Sequence, residues 1–264
     1  MSWQIKHVDT SFRVLAQMPD EAVDVILTDP PYSAHVHANM SSGTAMKKQV
    51  AGGAVGGIPR IQLPFGNLVQ YDFALDLVRV AKRWAIAFCA VEDFGAYRDT
   101  VGAKQWVRGG IWYKPNSMGQ LTGDRPAAAY EGLAIMHRKG KKQWNGRGSF
   151  AHWTAELDEE AAYYVHNGTR GEKGRHPNQK PLDLCLELVA KFSNRGETIL
   201  DPFAGSGRIG EACVLLGRNY IGLERDVEWV DKARERLSDA DGTRQGFRDE
   251  DCLALCRAPK KEKK

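Results

Sequence analysis

The sequence predicts an α/β fold in which a largely parallel sheet carries helices on both faces, and three observations support that prediction. Short continuous apolar runs, Val23 to Leu27 and Trp84 to Cys89, alternate with stretches of helical period, as buried parallel strands do. A Gly-rich turn, Gly205-Ser206-Gly207, joins an apolar strand to a helix, an arrangement that brings backbone close to a nucleoside or its charged groups. The chain has 264 residues, enough for one substantial core without a second complete domain.

In chain order, the run Val23 to Leu27 reads as a strand that ends in the loop Asp29-Pro30-Pro31-Tyr32. Neither proline has a backbone N–H, so the tetrapeptide offers acceptor oxygens, a rigid turn and one aromatic face. That combination suits the binding of an amino group; the bland alternative is a plain proline turn. Residues 33–64 are rich in Gly, Ser and Ala without a sustained period, and so long a loop inside a domain is usually functional or mobile. Phe73, Leu77, Val80 and Ala81 form one helical face, ending in Lys82 and Arg83 before the strand Trp84 to Cys89. Residues 137–176 break the pattern again.

Pro181 suits the first position of a helix whose apolar face is Leu182, Cys185, Leu186 and Val189. Thr198 to Leu200 reads as a strand with Asp201-Pro202 at its carboxyl end. The helix after the Gly-rich turn presents Ile209, Ala212, Cys213 and Leu216 on one face, and Gly217 stops it. Asn219 to Gly222 is the next strand. Glu224 follows the Gly-rich turn by about 20 residues, where an acid can accept ribose hydroxyls; a solvated strand-end carboxylate is the alternative. The residues after Gly207 are Arg208, Ile209 and Gly210, so the full dinucleotide fingerprint is missing and a mononucleoside cofactor is expected instead.

Three blocks occur in one order: Asp29-Pro30-Pro31-Tyr32, then His176-Pro177-Asn178-Gln179-Lys180-Pro181, then Asp201-Pro202-Phe203-Ala204-Gly205-Ser206-Gly207. With them the chain resembles, over nearly its whole length, the permuted β-class of S-adenosylmethionine-dependent DNA amino-methyltransferases. The resemblance implies a Rossmann-like methyltransferase fold with a largely parallel seven-stranded sheet and circularly permuted motif order. It implies a catalytic domain made of residues 1–136 and 177–264, with 33–64 a mobile active-site loop and 137–176 a small inserted target-recognition region. Ile111 to Asn116 and Tyr130 to Ile135 resemble the family's later strands, and Ile5-Lys6-His7-Val8-Asp9 resembles the strand whose terminal acid reaches the cofactor adenine.

Residue by residue, the resemblance makes Asp29, Pro30, Pro31 and Tyr32 the catalytic group. It assigns the cofactor S-adenosylmethionine to Asp9, Asn178, Gln179, Lys180, Asp201, Pro202, Phe203, Gly205, Ser206, Gly207 and Glu224, with Lys180 and the following helix start holding the methionine carboxylate. The exocyclic nitrogen of adenine or cytosine is a poor nucleophile because its lone pair is delocalised into the ring. Hydrogen bonds from its N–H groups to the Asp29 carboxylate and the Pro30 carbonyl would localise that pair. Tyr32 would stack on a base that has left the duplex. An aspartate opening this tetrapeptide goes more often with adenine in the resembling family, so N6 of a flipped adenine is the expected target.

Arg138, Lys139, Lys141, Lys142 and Arg147, with Trp144 among them and no acid before Glu156, are expected to contact DNA, where Trp144 or Trp153 would stack or wedge. A solvated basic hairpin is the alternative. The net charge of +4 is compatible with an anionic partner. Five cysteines without paired spacing suggest a reducing compartment, hence the cytoplasm and, in a bacterium, the nucleoid. Cys252 and Cys256 have no His or Cys partners in sequence, so no metal is expected. The absence of a long apolar run argues against a membrane, and the lack of a Pro-Cys motif argues against carbon-5 cytosine chemistry. Double-stranded DNA is the expected partner, and the family's frequent dimers imply a homodimer. Cytosine-N4 methylation, methylation of RNA or of a protein amide, and a non-catalytic nucleic-acid-binding module remain open as other readings.

Overall fold

The computed structural model describes residues 2–32, 71–114, 126–154 and 179–243. The loop 33–64, the stretch 155–178 with Asn178, and Cys252 and Cys256 lie outside the described residues. The described chain runs β1 (Trp3–His7), α1 (Ser11–Gln17), β2 (Val25–Thr28), α2 (Phe73–Val80), β3 (Trp84–Cys89), α3 (Phe94–Val101), β4 (Trp106–Tyr113) and β5 (Tyr130–His137). It continues with β6 (His152–Thr154), α4 (Leu182–Phe192), β7 (Thr198–Asp201), α5 (Arg208–Leu215), β8 (Asn219–Glu224) and α6 (Val227–Thr243).

The strands form one sheet in the order β1-β8-β7-β2-β3-β5-β4-β6. From β1 to β3 every pairing is parallel, β5 runs antiparallel to both its neighbours, and β6 is parallel to β4. Among the described residues, eight strands stand where seven were expected. The additional one, His152–Thr154, falls inside the stretch read as an unpatterned insertion. Three residues are too few to show a period, and only Trp153 of the three is buried.

β3 shows why its sequence is apolar throughout: both its faces are covered. Trp84, Ile86 and Phe88 point into a core shared with α4, α5 and α6, while Ala85, Ala87 and Cys89 point into a second core shared with α1, α2 and α3. Large residues on one face and small ones on the other set how closely each layer approaches. Gly210 of α5 goes further, since a Cβ there would lie 2.5 Å from the Tyr220 ring of β8.

Within the expected insertion, the described residues Trp144 and Asn145 pack against the body. The Asn145 side-chain amide donates to the carbonyls of Ala190 and Ser193 at the end of α4, and Trp144 packs on Phe192 with ring centroids 4.8 Å apart. Pro181 occupies the capping position of α4, one residue before the helix proper.

Candidate active site

β2 and β7 are neighbours although the sequence places them far apart, and the site is built where they end. The Thr28 hydroxyl donates to Asp201 Oδ1 at 2.7 Å, joining the acceptor strand to the strand that enters the Gly-rich turn. From β7 the chain moves outward to β8 and from β2 it moves the other way to β3, so a crevice opens at the carboxyl edge between them.

The Gly-rich turn depends on glycine at two places. Gly205 and Gly207 have φ of 49° and 75°, and a Cβ on Gly207 would come within 2.8 Å of Ala233. The Gly205 N–H donates to Glu224 Oε2 at 2.7 Å, and the N–H groups of Arg225 and Asp226 donate to the other oxygen of Glu224. This acid is therefore oriented by backbone, with lone pairs remaining on both oxygens. The Phe203 N–H donates to Asp201 Oδ1, and its ring stacks against Phe12 with centroids 5.2 Å apart. Pro202 and Ser206 are buried beneath the turn. The Ser206 carbonyl and Gln179 Oε1 both accept from Arg236. Asp9 is exposed just beyond β1, whose last residue pairs with Glu224.

On the other side of the crevice, Lys180 donates to Asp29 Oδ2 at 2.6 Å and lies 3.0 Å from Glu131 Oε2. Lys114 donates to Glu131 Oε1 at 2.8 Å, and the Tyr32 hydroxyl donates to Glu131 Oε2 at 2.9 Å. The Lys180 ammonium also sits 4.8 Å from the centre of the Phe88 ring. Asp29 Oδ1 is covered and has no hydrogen-bond partner among the described residues. Pro30 is buried beside it, and Pro31 completes the rigid turn.

Charge follows from this geometry. Burial raises the pKa of Asp29, the Glu131 charge adds to the rise and Lys180 opposes it. Burial would raise Glu131 too, but Lys180 and Lys114 outweigh it and hold that carboxyl at about 2. Burial works against the Lys180 ammonium, yet the two carboxylates hold its pKa above the usual value. Burial pushes Asp201 up to about 7 against its hydrogen bonds from Thr28 and Phe203, and burial likewise pushes the Tyr32 phenol up.

The structure thus brings Asp29, Pro30, Pro31 and Tyr32 to one edge with Asp9, Gln179, Lys180, Asp201, Pro202, Phe203, Gly205, Ser206, Gly207 and Glu224. Lys180 was expected to serve a cofactor carboxylate, and here it is engaged with Asp29 and Glu131. The basic run is not brought to this edge. β5 begins beside the site and is antiparallel to β3, so His137 pairs with Trp84 at the opposite end of the sheet. Arg138 then ties to the Arg79 carbonyl, Asp20 and Glu21, while Lys139, Lys141, Lys142 and Arg147 are exposed there. The length of β3 separates the two ends by about 17 Å.

Glu131 and Lys114 were not foreseen as site residues. Their one signal is a charge placed at the tip of a strand, and only the β4–β5 register turns two such tips into neighbours. No group of His, Cys, Asp and Glu side chains suited to a metal occurs among the described residues, and no described helix is long and apolar enough to cross a membrane.

A doubly wound sheet whose adjacent strands end in the Asp29-Pro30-Pro31-Tyr32 loop and in a Gly-rich turn defines the class of Rossmann-like methyltransferases. Residues 94–235 match the family described as DNA methylase, and the chain belongs to that family of N6/N4 DNA methylases. It is 26% identical over 241 residues to the type II methyltransferase M.HinfI of Haemophilus influenzae, covering 84% of this chain and 65% of that one. It is 28% identical over 165 residues to M.Cfr9I of Citrobacter freundii, covering 60% and 50%. The chain therefore spans 65% and 50% of the length of these relatives. Among solved structures, the M1.HpyAVI–SAM complex has the same fold with TM-score 0.57 and 22% identity, covering 89% of this chain and all of that one. The cytosine-N4-specific PvuII DNA methyltransferase does so with TM-score 0.63 and 12% identity, covering 97% and 91%.

Proposed function

We propose that this chain transfers a methyl group from S-adenosylmethionine to an exocyclic amino group of a DNA base, with N6 of a flipped adenine as the target. One observation carries the reading: Asp29 Oδ1 is covered and unpartnered among the described residues at the edge where the Gly-rich turn lies. A buried acceptor left unpaired costs roughly 1–3 kcal/mol, and such groups persist where a ligand uses them.

The residues fit the cofactor. Gln179 Nε2 and Arg208 Nε are buried donors without partners among the described residues, which suits an amino-acid carboxylate, and Glu224 is held by backbone as an acceptor for ribose hydroxyls. S-adenosylmethionine, when bound, supplies an electrophilic methyl group. Asp29 Oδ1 and the Pro30 carbonyl accept the two N–H groups of the target nitrogen and localise its lone pair. Tyr32, tethered through its hydroxyl, offers its ring to a base that must leave the duplex to be reached.

The adenine assignment rests on the resembling family, in which aspartate opens the tetrapeptide more often for adenine; the same acceptors serve cytosine N4. The deciding experiment incubates the protein with mixed-sequence duplex DNA and isotopically labelled S-adenosylmethionine, digests to nucleosides and identifies the labelled one by mass spectrometry. Label in N6-methyladenine is expected. Label in N4-methylcytosine corrects the base, and no labelled nucleoside rejects the activity.

A further inference from the structure

We propose that Glu131 is a positioning residue for the acceptor loop: through Lys180 it decides which oxygen of Asp29 is offered to the substrate, and through the Tyr32 hydroxyl it fixes the stacking ring. The inference rests on the proposed function and deepens it.

The two carboxylates are unequally partnered. Glu131 has both oxygens occupied, one by Lys114 and the other by Lys180 and Tyr32. Among the described residues, only Oδ2 of Asp29 has a hydrogen-bond partner. A single buried ammonium, Lys180, is thus shared between two carboxylates, and together with Lys114 the two acids and two bases sum to zero charge. Sharing matters because an ammonium has three donors and no acceptor. Without the Glu131 charge, all of the Lys180 field would fall on Asp29, and the ammonium could bridge both of its oxygens. The acceptor needed for the target N–H would then be consumed. Tyr32 would also lose the bond that holds its ring at this edge.

The groups that face Asp29 are Lys180 before α4, Glu131 on β5, Tyr32 on its own loop, Cys89 at the end of β3, Asp201 at the end of β7 and Tyr97 on α3. Lys114 acts on it through Glu131. Since Asp29 must be ionised for Oδ1 to accept an N–H of the nitrogen on which positive charge develops, the acid limb of the pH–rate profile reports its environment. Removing the Glu131 charge relieves repulsion and leaves Lys180 undivided, so the limb moves to lower pH. Removing Lys114 leaves the Glu131 charge less neutralised, so the limb moves to higher pH.

The test measures kcat, cofactor KM and the pH profile of kcat for the full chain and for Glu131→Gln and Lys114→Met, with duplex DNA and labelled S-adenosylmethionine. Glu131→Gln is expected to lower kcat about tenfold or more with cofactor KM within about twofold, and the two variants are expected to displace the acid limb in opposite directions. A residue that merely supported the fold would not produce that opposition. If Glu131→Gln does not fold, the limb of Lys114→Met alone decides. An active wild type whose limb is unmoved by either substitution overturns the inference only, whereas a wild type that transfers no methyl group overturns the proposed function and this inference with it.

Discussion

Asp29 and Asp201 end adjacent parallel strands, and their surroundings give them different work. Asp29 keeps a free acceptor, so its loss should be felt in the chemical step. Asp29→Ala is expected to leave cofactor affinity within about threefold while lowering the single-turnover methylation rate by roughly 100-fold or more. A rate within about tenfold of wild type would remove Asp29 from the mechanism. Asp201 serves as a clasp between β2 and β7, and its pKa is raised to about 7 from 3.8. A raised carboxyl binds its proton more tightly when folded, so its contribution is fully present below pH 3.8 and is lost as pH rises to about 7. Denaturant titrations should therefore show Asp201→Asn gaining on wild type by about 2 kcal/mol between pH 5 and pH 8. Glu131 runs the other way: held at about 2, it contributes above its unfolded value of 4.5 and loses that contribution as pH falls. Two buried acids with opposite pH slopes give separable signatures in one titration.

Helix α5 and strand β8 meet through Gly210, where a Cβ would overlap the Tyr220 ring. Gly210→Ala should raise intrinsic helix propensity, but the overlap dominates. A net loss of roughly 1–3 kcal/mol is expected in thermal or denaturant unfolding, with Tyr220 displaced from Asp201. A neutral or stabilising result would show that the ring moves aside freely. At this scale the apolar strands were legible because β2, β3 and β7 are covered on both faces and so read as continuous runs. The Leu182–Phe192 and Arg208–Leu215 helices were legible from their apolar faces. Helices α1 and α6 were not anticipated: α1 has only seven residues, with Ser11 and Leu15 buried, and α6 is polar along most of its length. Strand β6 escaped because a single buried tryptophan carries no period.

Across the whole molecule, the antiparallel β5 decides which charges can serve the site. It carries Glu131 to the edge that holds Asp29 and sends Arg138 to Arg147 to the other. Exposed charges more than a Debye length away, about 8–10 Å at physiological salt, are largely screened from the crevice. Replacing Lys139, Lys141 and Lys142 together with alanine is therefore expected to leave affinity for a short duplex of about 12 base pairs within about twofold, with the salt slope of binding unchanged. A slope that fell by two or three would put this far edge against DNA, as the charge run alone suggested.

The α/β class, the positions of the Asp29-Pro30-Pro31-Tyr32 loop and the Gly-rich turn, and the identity of the residues on each were legible from the residues alone, because strand burial and positive-φ glycine leave local signatures. The packed structure settles that β2 lies beside β7, that Thr28 and Asp201 join them, and that Glu131, itself paired with Lys114, shares Lys180 with Asp29. The reason is physical. A buried charge is specified by its partners, and those partners come from strand tips whose proximity depends on sheet order and direction rather than on any neighbouring residue.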